Sequence, residues 1–210
     1  MLPRLYPILD TASLSARGFD PVDAAAAFLE GGAEILQLRH KSFWSRDVYA
    51  QAERIAALCR DARVPFVVND RADYAALLGA GLHVGQDDLA PADARRVIGP
   101  AALLGFSTHN PDQMRAADAE PVDYVAFGPV FPTATKDRPD PTVGTEALRT
   151  VRALTNRPLV AIGGITRANA EACWSAGADS VAVIADLLPL SCTKQALRDR
   201  MAEWRQLTTR

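Results

Sequence analysis

Gln37, Arg39 and Lys41 alternate along the run Gln37-Leu38-Arg39-His40-Lys41. In an extended strand this spacing sets those three side chains on one face, with Leu38 and His40 on the other. A guanidinium fork, an ammonium point charge and an amide on one face suit a diphosphate; a strand end with solvated cations has the same composition. Asn69-Asp70 and Gly85-Gln86-Asp87-Asp88 add carboxylates. Brought together, they make an oxygen-rich site of the kind that holds Mg²⁺ carrying phosphate oxygens, whereas singly they suit turns and helix caps. Ser107-Thr108-His109 offers two hydroxyls for a phosphate or a ring nitrogen. Its imidazole serves either as an acid–base group or as a hydrogen-bonding scaffold. Thr133, Thr135 and Lys136 stand in a Pro-rich stretch between Gly128 and Gly144, where two hydroxyls and a cation can clamp phosphate from a binding loop or lid. Gly163-Gly164 lets backbone N–H groups approach a phosphate at the start of the following helix, or makes only a tight turn. No serine sits in a nucleophile elbow and no cysteine ends an apolar run, so covalent nucleophilic catalysis has no support. The chemistry these groups suit is metal-assisted transfer between two phosphorylated small molecules.

Each of these groups ends or follows a short apolar run. The runs span residues 5–9, 34–38, 66–68, 82–84, 103–106, 124–127, 159–162 and 181–184. Segments of helical apolar spacing lie between them, at 21–30, 45–61, 73–78, 91–98, 111–117, 144–154 and 167–175, and a last helix is expected over 193–207. Eight strand–helix units with strands apolar on both faces predict an α/β fold, a (β/α)₈ TIM barrel occupying residues 1–210 as one domain. A doubly wound sheet would carry a glycine fingerprint after the first strand, and Asp10-Thr11-Ala12-Ser13 stands there instead. A barrel places its site on the loops at the strand C-termini, with phosphate commonly held after strands seven and eight. Gly163-Gly164 and Ile184-Ala185 occupy those two positions. The apolar stripes of the helices, Cys173 and Trp174 among them, read as core.

Composition narrows the partners. A net charge of −2 gives no broad cationic face for nucleic acid. The apolar stretch from Val181 to Leu190 is broken by Asp186 and Pro189, so no membrane span is expected. Three widely spaced cysteines form neither a disulfide framework nor a zinc knuckle, and the first residues show no signal-peptide core. A cytoplasmic protein acting on phosphorylated small molecules is the expectation. Homo-oligomerisation stays undecided, because no heptad or aromatic stripe marks an interface.

The ordered set Gln37-x-Arg39-x-Lys41, Asn69-Asp70, His83-Val84-Gly85-Gln86-x-Asp88, Gly105-x-Ser107-x-His109, Gly128-Pro129-Val130-Phe131-Pro132-Thr133-x-Thr135-Lys136 and Ile162-Gly163-Gly164-Ile165 resembles the thiamine phosphate synthase family. The resemblance implies a (β/α)₈ transferase that couples hydroxymethylpyrimidine diphosphate to thiazole phosphate with Mg²⁺ as cofactor. On that likeness Gln37, Arg39, Lys41, Asn69, Ser107 and Lys136 would bind the pyrimidine diphosphate. Asp70 and Asp88 would ligate Mg²⁺. Thr133, Thr135, Gly164 and the Ile184-Ala185 backbone would hold the thiazole phosphate, and Gly163 and His109 are expected among the substrate-binding residues. Arg39, Lys41, Ser107 and Lys136 would act in catalysis. Two positions depart from the pattern: Ala185 stands where many relatives carry Ser, and His40 where an acidic residue is common. Two other readings fit the same barrel. One is a thiazole tautomerase working through His109 without metal. The other is a silent thiazole or thiamine phosphate binder, for which Ala185 is the encouragement.

Overall fold

A computed structural model describes residues 2–133 and 141–209. Eight parallel strands close into a barrel in sequence order: β1 Leu5–Asp10, β2 Leu36–Arg39, β3 Phe66–Asn69, β4 Gly81–Val84, β5 Leu104–Thr108, β6 Tyr124–Phe127, β7 Leu159–Ala161 and β8 Ser180–Val183. Closure is made by β1 and β8, with Leu5, Tyr6 and Pro7 opposite Val181, Ala182 and Val183. The ring of helices is α1 Thr11–Ser15, α2 Pro21–Glu30, α3 Arg46–Asp61, α4 Ala72–Leu78, α5 Pro91–Ile98, α6 Pro111–Asp118, α7 Gly144–Arg152, α8 Ala170–Ser175 and α9 Lys194–Thr208. None of the described helices is long and apolar enough to cross a membrane.

Local chemistry sets the helix starts. Asp20 accepts from the N–H groups of Val22 and Asp23 ahead of Pro21, Asn110 accepts from Gln113 N ahead of Pro111, and Thr193 accepts from Ala196 N. A side-chain acceptor at the cap with proline in the first turn satisfies or removes donors that a helix start leaves unpaired.

Strand alternation divides the apolar residues into two cores. Outward-facing residues such as Leu9, Leu36, Val68, Leu104, Val125 and Val181 pack against the helices. Inward-facing Tyr6, Ile35, Val67, Tyr124, Ala126, Val160 and Ala182 fill the barrel. Towards the C-terminal ends the interior turns polar: Gln37, Asn69 and Ser107 are buried there. Strands covered on both sides explain why the runs read as continuously apolar.

Three local features differ from expectation. The short helix α1 and a 3-10 turn over Ala185–Leu187 follow β1 and β8, where the runs alone gave no signal. Helix α8 starts at Ala170, three residues later than its periodicity suggests, because Asn169 Oδ1 accepts from Thr166 N and holds 166–169 in a turn. Gly163-Gly164 therefore does not open a helix but forms a glycine turn ahead of it. Cys173 is core as expected; Trp174 is only half-buried, its indole N–H bonded to Arg4 O and its ring covered by the Arg4 guanidinium.

Candidate active site

The C-terminal mouth of the barrel opens into a cavity of about 980 Å³. Gln37, Arg39, Lys41, Asn69, Asp70, Asp88, Ser107, His109, Thr133, Gly163, Gly164, Ile184 and Ala185 all line it. The ends of seven strands, β2 to β8, bring these residues to one cavity. Thr135 and Lys136 lie outside the described residues.

Both cations are held by carboxylates. Arg39 ion-pairs with Asp10, which is buried at the end of β1 and also accepts from Ser13 N and Ser13 Oγ at the start of α1. Lys41 Nζ reaches Asp70 Oδ2 at 2.5 Å, with the lysine half exposed. His40, between them, turns to the outer side: its Nδ1 is 2.7 Å from Thr11 Oγ1 and its ring meets Trp44 edge-on.

Asp70 takes a left-handed backbone with φ of 65°, pinned by its N–H on His83 O at 2.8 Å. Short polar side chains tolerate that region, which turns the carboxylate across the mouth. There it meets Asp88, whose Oδ2 accepts from Gly85 N at 2.8 Å. Burial, and then the facing Asp88, push the Asp70 carboxyl up to about 6, while Lys41 opposes the shift. Two carboxylates forced together beside a half-exposed lysine suit a divalent cation between them. No group of three His, Cys, Asp or Glu that could hold a metal occurs among the described residues. That donor set suits Mg²⁺, which takes one or two carboxylates and completes its shell with water and phosphate, and does not suit zinc.

Ser107 faces the cavity, whereas Thr108 does not: its buried hydroxyl donates to Ala126 O at 2.8 Å on the outer side of the strand. The expectation that both hydroxyls serve a ligand fails for Thr108, because adjacent residues on a strand face opposite ways. His109 Nδ1 donates to Gly128 O at 2.6 Å, tying β5 to the loop after β6. Its proton is engaged in a structural bond.

Gly163 and Gly164 have φ of 89° and 64°, and a Cβ on either would collide with the loop after β6, 2.4 Å from Pro129 Cβ and 2.4 Å from Pro132 O. Their first role is to let that loop close down; Thr133 follows directly from it onto the cavity wall.

Sequence reading missed the base of the cavity. Tyr6 and Tyr124 donate and accept through a 2.8 Å contact between their hydroxyls, and Gln37 Nε2 donates to Tyr6 Oη at 3.2 Å. His83 Nδ1 lies 2.9 Å from Tyr124 Oη and its Nε2 lies 2.9 Å from Ser107 Oγ. Two tyrosines inside otherwise apolar barrel strands were the available signal, since a buried phenol needs a partner. Gly105, opposite Tyr124 in the register, leaves room for the phenol: a Cβ there would sit 2.0 Å from Tyr124 Cζ. Gly105→Ala is expected to displace the Tyr124 ring, lower the melting temperature by several degrees and weaken ligand binding; unchanged melting and affinity would show that the ring has space to spare.

The profile described as "Thiamine monophosphate synthase" matches residues 5–187. The chain belongs to the thiamine monophosphate synthase family. Among the family's curated members it is 48% identical over 195 residues to the thiamine-phosphate synthase of Koribacter versatilis (strain Ellin345), covering 89% of this chain and 90% of that one. It is 41% identical over 202 residues to that of Methanoculleus marisnigri, covering 94% and 95%. The solved thiamine phosphate pyrophosphorylase from Pyrococcus furiosus superposes with a TM-score of 0.84 at 29% identity, covering 98% of this chain and 95% of that one. A structure titled "Native KDPGal structure", at 15% identity and a TM-score of 0.73, shares the fold alone.

Proposed function

We propose that the chain is a transferase that makes thiamine phosphate by joining hydroxymethylpyrimidine diphosphate to thiazole phosphate, releasing diphosphate. The observation that carries this is the apposition of Asp70 and Asp88 at a mouth also lined by Arg39 and Lys41, above a polar base that includes Gln37, Asn69 and Ser107. An isomerase of the thiazole phosphate has no use for that diphosphate and metal set.

Mg²⁺ held by Asp70 and Asp88 would supply charge neutralisation for the diphosphate. Lys41 stands within reach of the same anion, and a diphosphate competes with Asp70 for its ammonium. Arg39, with one guanidinium nitrogen fixed by Asp10, keeps its remaining donors in a set orientation. As the C–O bond to the diphosphate breaks, positive charge appears on the pyrimidine methylene and is shared with the electron-rich aminopyrimidine ring. The thiazole nitrogen brings its own lone pair to that carbon, so no side chain has to remove a proton. Ile8 and Ile162 supply apolar wall, which keeps water away from the electrophilic carbon. Asn69 Nδ2 is buried without a partner among the described residues, a donor left for an acceptor on the pyrimidine substrate. The thiazole phosphate falls to Thr133, Gly163, Gly164 and the Ile184-Ala185 backbone on the opposite wall.

The test is a coupling assay with both phosphorylated substrates. Thiamine phosphate and diphosphate should form in equal amounts with Mg²⁺ present, and product formation should stop on chelation and return when Mg²⁺ is restored. Folded protein that binds thiazole phosphate yet forms no product would overturn the reading.

A further inference from the structure

Five cavity-lining side chains, Gln37, Tyr6, Tyr124, His83 and Ser107, are joined end to end by four hydrogen bonds. Counting hydrogens fixes their direction. Gln37 Nε2 faces Tyr6 Oη, so the amide donates and the Tyr6 hydroxyl must send its own hydrogen onward to Tyr124. Tyr124 then donates to His83 Nδ1, which leaves the imidazole hydrogen on Nε2, directed at Ser107 Oγ. Four hydrogens fill four bonds. A doubly protonated His83 would bring a fifth and leave the buried Tyr6 hydroxyl with nothing to donate to, at the cost of an unsatisfied buried group. Burial raises the proton affinity of both phenols, Tyr6 to about 12, so neither hydroxyl gives up its hydrogen at neutral pH.

The two ends of this chain face the ligand with opposite character. Ser107 accepts from His83 and has its own O–H left to give. Gln37 has committed an N–H to Tyr6, and its Oε1 accepts no hydrogen bond among the described residues. We propose that Tyr6, Tyr124 and His83 form a one-way relay whose direction sets Ser107 as a donor and Gln37 Oε1 as an acceptor, and so selects a 4-aminopyrimidine over its 4-oxo counterpart. The aminopyrimidine edge presents a ring-nitrogen acceptor beside an N–H donor; the oxo form presents a ring N–H beside a carbonyl, the reverse order. The three relay members are positioning residues acting through Ser107 and Gln37. The seat is built for the relay: Gly105 is the residue that admits the Tyr124 ring. The ligand class rests on the function proposed above, whereas the relay direction does not.

Two measurements test it. Long-range proton–nitrogen NMR on the ligand-free protein near pH 7.5, with His83 assigned through His83→Gln, should show hydrogen on Nε2 alone; hydrogen on Nδ1, or on both nitrogens, overturns the relay. Competition binding of the 4-amino and 4-oxo pyrimidine diphosphates should then show the preference for the amino form falling about tenfold or more in Tyr124→Phe. The KM for thiazole phosphate should stay within twofold. A preference that survives in Tyr124→Phe, or an equal loss for both substrates, overturns the relay while leaving coupling by the wild type intact. A wild type with the expected tautomer that binds neither pyrimidine diphosphate overturns the selection together with the functional reading beneath it.

Discussion

Asp70→Ala is expected to lower kcat/KM for coupling by on the order of 10²–10³-fold, the scale on which one preorganised electrostatic contact is lost. Its unusual backbone is what aims the carboxylate at Asp88. Stability should respond in the opposite sense. Folding raises the proton affinity of Asp70, so ionising it destabilises the metal-free fold; that loss builds as pH climbs from the ordinary carboxyl value of 3.8 to about 6 and is complete above. With Mg²⁺ chelated at pH 7.5, Asp70→Asn, which removes the charge but keeps a side chain that tolerates the left-handed backbone, should therefore melt no lower than wild type. Adding Mg²⁺ should raise the wild-type melting temperature and leave the variant where it was. A variant that keeps activity within threefold and still responds to Mg²⁺ would remove Asp70 from the metal site.

Arg39→Ala combines a binding loss with a folding loss. Asp10 is only 3% exposed and the Arg39 side chain 14%, so deleting the guanidinium strands a buried carboxylate. Breaking a buried pair from one side costs about 3–5 kcal/mol, enough to bring many domains near unfolding at 37 °C. The double variant Asp10→Asn with Arg39→Met separates the two roles. Its neutral amide oxygen can still accept from Ser13, and the methionine fills the arginine's volume, so stability should return towards wild type. Affinity for the pyrimidine diphosphate should not return, because its cation is gone. Urea unfolding and substrate titration on the three proteins read these outcomes, and a double variant that recovers both stability and affinity would show Arg39 to be structural alone.

The barrel was legible because its strands announce themselves twice, by apolar runs and by the chemistry that follows each one. Arg39, Lys41, Asp70, Asp88 and Ser107 were readable since a parallel barrel gathers whatever stands after its strands. Asp10 was not readable as the Arg39 partner: from sequence it is only the residue after the first apolar run, and the register of β1 with β2, Asp10 opposite Arg39, joins them. Tyr6, His83 and Tyr124 escaped for a related reason. They sit within strands rather than after them, and their bonds span up to 118 positions of sequence. Thr108 was over-read because its type matches Ser107 while its direction is opposite. The Asp70 backbone could not be foreseen at all, as its conformation depends on a carbonyl from the next strand, His83 O.

The seam between β1 and β8 has a consequence for how the chain emerges from a ribosome. Tyr6 cannot find Ala182 until nearly the whole polypeptide has been made, and the alanine face of α2, with Phe28, waits longer still for α9 to cover it. Translation at about 5–20 residues per second leaves that apolar surface exposed for roughly ten seconds or more. The nascent barrel is thus unclosed for most of its synthesis, and a slow codon tract ahead of α9 would lengthen the exposure of that surface without altering the finished enzyme.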